Sequence, residues 1–190
     1  HALINLPPRQ CPGPGRLPTI EPVEVLDSPI SGTFSEIRPV MVVDARDDAK
    51  LEKTFNHIMK EYHYLSYGRP VGQNMKYLVL GQNGRVLGGL LFGAAAWKVA
   101  ARDQWIGWTE DVRKRNLGLI CNNTRFLILP WVKVPHLASH VLGTCLRRLS
   151  WDWKRRYGSE IALVETFVDT TRYLGTCYKA SNWLKIGQTK

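Results

Sequence analysis

The chain has 190 residues and a formal net charge of +10, with 44% apolar residues and seven tryptophans. That apolar content is enough to bury a core, which excludes a chain disordered throughout, and the length suits one domain. No run of about 18 apolar residues is present to span a bilayer, and the N-terminus lacks a signal peptide's charged-then-apolar layout. The expectation is a cytoplasmic protein that makes no membrane contact.

The charge is unevenly placed. Residues 1–50 hold 5 Lys and Arg against 7 Asp and Glu, which leaves 21 against 9 for the remaining 140 residues. A pI near 9.7, with aromatics among the basic residues, fits DNA or RNA as partner, because neutralising phosphates releases counterions. A basic globular domain with no nucleic-acid role has the same composition. Cys11, Cys121, Cys145 and Cys177 lack the C-x-x-C pairs of a zinc ribbon or thioredoxin-like site, so free thiols are expected and no metal site is assigned.

Eight of the eleven prolines fall in the first 39 residues, so residues 1–43 read as an extended arm or linker. The start at His1, without an initiator Met, reads as a piece of a longer protein with a region upstream. The domain is expected over 44–190. Leu51, Phe55, Ile58, Met59 and Tyr62 recur at helical spacing and predict a helix over about 46–62. Residues 76–81 and 85–93 read as strands of a hairpin, joined by Gln82-Asn83-Gly84. Residues 97–115 are polar and Trp-rich without a clear period, and 117–121 and 125–129 read as two further strands.

Beyond Pro130 and Pro135, the spacing of Leu137, Val141, Leu142, Cys145, Leu149 and Trp153 predicts a long helix ending at Tyr157-Gly158, with Pro135 suited to its first turn. Residues 161–168 return as a buried strand, followed by a short tail strand. A crossover helix between two strands implies a parallel pair inside a mixed sheet. The expected class is α/β.

Several blocks carry a family likeness. His63-Tyr64-Leu65, Phe92-Gly93-Ala94-Ala95-Ala96-Trp97, Arg125-Phe126-Leu127-Ile128-Leu129-Pro130, Val134-Pro135-His136-Leu137-Ala138-Ser139-His140, Glu165-Thr166-Phe167-Val168-Asp169 and Gly175-Thr176-Cys177-Tyr178 with Ala180-Ser181-Asn182-Trp183 together resemble the Druantia DruA family over about residues 55–190. The resemblance implies an anti-phage defence or transposon-associated context, with operon or transposition proteins as partners. The His63-Tyr64 pair and the 175–183 segment also resemble the phage Mom protein, a GNAT-like enzyme that modifies DNA adenine. That likeness implies a GNAT-like acyltransferase fold: a mixed, mostly antiparallel sheet with a parallel strand–helix–strand unit and a cleft between splayed strands.

The resemblance implies a set of site residues. His63 is a candidate base and Tyr64 an acid or orienting group, near the Gly68-Arg69-Pro70 turn. Tyr178 lies where GNAT-like enzymes keep a tyrosine near the thioester sulfur. Glu165 and Asp169 could orient or deprotonate an amine, while their plainer roles are an ion pair with an arginine and a turn cap. An acyl-CoA or related donor would meet Arg125, Val134, His136, Ser139, His140 and Asn182. The segment 134–139 nevertheless lacks the Gly-rich run through which GNAT backbones approach a pyrophosphate. For nucleic acid, Arg102, Trp105, Trp108, Arg113, Lys114 and Arg115 combine cations with indoles, as does the stretch from Trp151 to Arg156. Two functions follow: acyl-type group transfer to an amine or nucleobase, or a non-catalytic nucleic-acid-binding module that recruits partners.

Overall fold

The computed structural model describes residues 19–188 apart from 66 and 69. Cys11 and Arg69 therefore lie outside the described residues. A five-stranded sheet is formed by β2 (Met41–Asp44), β3 (Asn74–Leu80), β4 (Val86–Ala94), β5 (Ile120–Ile128) and β7 (Leu163–Glu165), side by side in that order. The first three pairings are antiparallel and β5 with β7 is parallel. A parallel pair needs a crossover, and α4 (Leu137–Tyr157) supplies it. Strand β1 (Ile30–Ser31) pairs separately with β6 (Val132–Lys133).

One helix layer covers each face of the sheet. All seven residues of β3 are buried, as a central strand covered on both faces requires. Successive strand residues point to opposite faces: the Lys76 ammonium meets Glu52 at 2.7 Å and Asn56 at 3.0 Å on α1 (Ala49–Tyr62), and the Tyr77 hydroxyl donates to Asp152 on α4 at 2.6 Å. Asp48 starts α1 by accepting the N–H groups of Lys50 and Leu51 at 2.7 and 2.9 Å. The helix buries Phe55, Ile58 and Met59 against the sheet. Gly89 permits that contact, since a Cβ there would lie 3.0 Å from both the Phe55 ring and the Met59 methyl. At Gly88, on the other face, a Cβ would come within 2.1 Å of the Leu127 carbonyl, so only glycine lets β4 approach β5 this closely.

The hairpin, the long helix and the parallel pair form as the sequence predicts, and Gly158 ends α4 at φ 75°. Other elements differ. The two strands expected at 117–121 and 125–129 are one strand, β5, interrupted by a bulge: Leu91 pairs with Arg125 and Phe92 with Asn123, leaving Thr124 extra. The aperiodic Trp-rich stretch folds into α2 (Ala100–Ile106) and α3 (Glu110–Asn116), seven residues each and too short to show a helical period. The strand expected at 161–168 keeps only Leu163–Glu165. A short helix, α5 (Thr176–Lys179), stands in the C-terminal stretch, with no tail strand among the described residues. Pro135 is not in the first turn of α4, because His136 at φ 64° precedes that turn in a left-handed conformation. Met41–Asp44 are paired with β3, and Val25, Ile30, Phe34, Ile37 and Val40 of the proline-rich segment pack against the core.

Candidate functional site

Strands β5 and β7 run together for three residues and then part. The last paired residues are Asn122 and Glu165, and the final link is the Thr166 hydroxyl donating to the Asn123 carbonyl at 3.0 Å. The bulge at Thr124 sits at this point, and a bulge bends its strand and increases the local twist. Beyond it lies a cleft of about 560 Å³, walled by residues 61–65 at the end of α1, by 123–128 of β5, by 166–169 and by 173–178. The volume is that of a small-molecule site.

Five of the expected site residues line this cleft: His63, Tyr64, Arg125, Asp169 and Tyr178. The His63 Nδ1 accepts the Leu65 N–H at 3.1 Å, closer than its 3.4 Å approach to the Leu65 carbonyl. That hydrogen bond assigns the proton of the neutral ring to Nε2. Burial, helped by the Arg125 charge and opposed by the Leu65 backbone, holds the imidazole below its ordinary 6.5. In that tautomer the neutral His63 ring carries its N–H at Nε2. Tyr64 stacks on it at 4.8 Å between ring centroids and 28° between planes. Burial and the neighbouring Tyr173 and Asp169 raise the Tyr64 phenol, so it keeps its proton.

Tyr178 rests its ring against Phe126 and Trp183 and donates its hydroxyl to Asn123 Oδ1 at 2.8 Å. Burial pushes that phenol up to about 12. Asp169 caps a turn: Oδ1 accepts the Thr171 N–H at 3.0 Å and hydroxyl at 2.6 Å, and these bonds hold its carboxyl below the usual range. The Arg125 guanidinium donates to the Thr124 carbonyl at 2.7 Å. The cleft thus offers donors on several sides, with two carboxylates: Asp169, engaged in its turn, and Glu61, 3.7 Å from Lys60.

Glu165 is not part of this wall. It is 9% exposed, accepts the Ala96 N–H at 2.8 Å and pairs with Arg102 at 3.0 Å. It is the ion-pair partner of the plainer reading. Arg102 is itself only 1% exposed and also binds Asp103, which Arg113 meets at 3.1 Å. Arg102 and Arg113 therefore leave the proposed nucleic-acid surface, because buried carboxylates hold both. Lys114 and Arg115 stay exposed, Trp105 is 55% exposed and Trp108 is half-buried. On α4 the Arg155 guanidinium lies 5.3 Å from the exposed Trp151 ring, and Trp153 is in the core.

The expected donor-binding residues Val134, His136, Ser139, His140 and Asn182 are not among those lining the cleft. Ser139 donates its hydroxyl to the His136 carbonyl and accepts the Ser181 hydroxyl at its own carbonyl, both at 3.1 Å. The His140 ring packs 4.4 Å from Phe34. Pro135 has no N–H to offer, and the residues before α4 all carry a Cβ. These residues do not fit the pyrophosphate of an acyl-CoA in the way a Gly-rich loop does. Sequence reasoning missed Phe167 and Tyr173 on the cleft wall and the bulge at Thr124. The polar Asn122-Asn123-Thr124 triplet between two apolar runs was the available signal for the bulge.

A family model described as Druantia protein DruA matches residues 23–190. The chain belongs to the Druantia DruA family. Membership supports a role in Druantia anti-phage defence, with other proteins of the system as partners. No curated protein and no solved structure matches this DruA-family chain. No helix among its described residues is long and apolar enough to cross a membrane. Cys121, Cys145 and Cys177 are free, and burial pushes the Cys121 thiol up to about 12, which makes it a poor nucleophile.

Proposed function

We propose that this DruA-family chain serves defence by recognising nucleic acid, with the cleft beside β5 as its recognition site and Lys114 and Arg115 among the cations that meet phosphate. The observation that carries the reading is the composition of the cleft: exposed aromatic rings, Arg125, Tyr hydroxyls and the neutral His63 imidazole around one opening, on a chain of net charge +10. Anisotropy of a labelled oligonucleotide at rising salt tests it. Affinity is expected to fall steeply with salt, and Lys114→Ala with Arg115→Ala should weaken binding and reduce the log–log slope by roughly 0.7–0.9 for each phosphate no longer neutralised. Binding that is absent, or indifferent to salt, overturns the reading.

A second reading is acyl-type group transfer to an amine or nucleobase in the same cleft. It is favoured by the parting of a parallel strand pair, the opening that GNAT-like folds use, and by Tyr178 and the His63 Nε2–H as donors to developing negative charge. The poor fit of residues 134–140 to acyl-CoA weighs against it. A donor that binds the native state alone raises the melting temperature. A shift with a CoA thioester, together with a nucleoside adduct lost in Tyr64→Phe, Tyr178→Phe, would establish transfer; no shift across CoA thioesters removes the acyl-CoA form of this reading.

A further inference from the structure

We infer that the ligand of the cleft is one unpaired base of a single strand, held face-on by an aromatic rim while the donors behind it meet the acceptors on its edge; the inference rests on the nucleic-acid reading above. The mouth of the cleft carries Tyr64, Phe167 and Tyr173 at 38%, 44% and 49% exposure, with Leu65 and Leu174 beside them at 42% and 82%. Apolar surface left open around a concavity marks a binding site, because a lone globular chain gains by covering it. Tyr64 and Tyr173 lie 5.2 Å apart, and the Arg172 guanidinium sits 5.4 Å from the Tyr64 ring.

The chemistry of the rim and of the wall selects the ligand class. Phosphate alone would use Arg125 and leave the rings without a role. A duplex offers no free π face, since its bases are already stacked, and its convex surface does not enter a cleft of about 560 Å³. An unstacked base supplies a flat apolar face for Phe167 and Tyr173 and edge acceptors for the His63 Nε2–H and the protonated phenol of Tyr64, whose own ring is stacked on His63. The Tyr178 hydroxyl is held by Asn123 Oδ1 and becomes available if that bond is exchanged for the ligand.

The test compares a short labelled thymidine oligonucleotide with a blunt duplex and with an abasic strand of equal length, using the full chain and the Phe167→Ala, Tyr173→Ala variant. Both substituted rings are exposed, so the variant is expected to keep the parent's melting temperature. The single strand should bind about 10-fold or more tighter than the duplex or the abasic strand, and the variant should lose on the order of 10- to 100-fold for the single strand alone. Equal affinity for single strand and duplex, unchanged in the variant, overturns the inference and leaves the nucleic-acid reading standing. Failure to bind any of the three strands removes that reading as well. Equal displacement of the oligonucleotide by poly-glutamate overturns the inference in favour of a general acidic-polymer site.

Discussion

Arg102→Ala is expected to lower stability by about 3–5 kcal/mol, the range for breaking a buried ion pair by removing one partner. The guanidinium is 1% exposed and makes four hydrogen bonds: two to Asp103 Oδ1 at 3.0 and 2.8 Å, one to Glu165 at 3.0 Å and one to the Ala96 carbonyl at 2.8 Å. Its loss leaves Glu165, a buried carboxylate, without its counter-charge and with the Ala96 N–H as its remaining described partner. Asp103 suffers less, because Arg113 still holds its other oxygen. For a chain of this size the loss corresponds to a fall in melting temperature of roughly 10 °C. Thermal unfolding followed by circular dichroism measures it. Lys114→Ala, on the exposed side of α3, is the control and should melt close to the parent. A parent-like melting temperature for Arg102→Ala would show that the network contributes nothing net. Glu165→Gln separates structure from chemistry: a structural Glu165 predicts a clear fall in melting temperature.

Asp152→Ala is expected to cost about 2–4 kcal/mol. The carboxylate is fully buried, accepts the Tyr77 hydroxyl at 2.6 Å and the Arg148 Nε–H at 2.5 Å, and links the central strand to α4. Two groups lose their partner, but not equally. The Arg148 side chain is 36% exposed and can turn to solvent, which keeps the cost below that of a wholly buried pair. The Tyr77 hydroxyl cannot, and an unsatisfied buried donor costs about 1–3 kcal/mol by itself. Burial and the Asp152 hydrogen bond already push the Tyr77 phenol far above its usual range, so it stays a neutral donor at any ordinary pH. Tyr77→Phe removes the orphan instead of creating it and should cost only about 1–2 kcal/mol, since the carboxylate keeps Arg148. Urea titration of the two variants checks the order. Equal losses would mean that the Arg148 contact adds nothing beyond the Tyr77 hydrogen bond.

The parts of the fold legible in the sequence were those with a strong local signal. The 3.6-residue recurrence from Leu51 to Tyr62 and from Leu137 to Trp153 located α1 and α4 because each helix buries one continuous stripe. Asn83 at φ 57° and Gly84 at φ 72° form the turn their residue types favour. Helices α2 and α3 were not legible, since a seven-residue helix makes fewer than two full turns and these are fastened by charges instead of an apolar stripe. The bulge at Thr124 was also hidden, because its register is set by the partner strand β4.

The candidate site divides in the same way. Sequence by itself determined the family, the mixed sheet with its parallel crossover, and five residues that line one cleft, because motif blocks and hydrophobic periods are local properties of the chain. Only the tertiary structure decided which charged residues are free to act. Arg102, Arg113 and Glu165 look like surface or catalytic groups when read along the chain, yet burial against one another turns them into a structural network. The Leu65 backbone N–H set the tautomer of the His63 ring, and Phe167 and Tyr173 came to line one cleft with Tyr64 where β5 and β7 part beyond Asn122 and Glu165. Residue type fixes what a side chain can do; burial and the partner brought from a distant segment decide what it does.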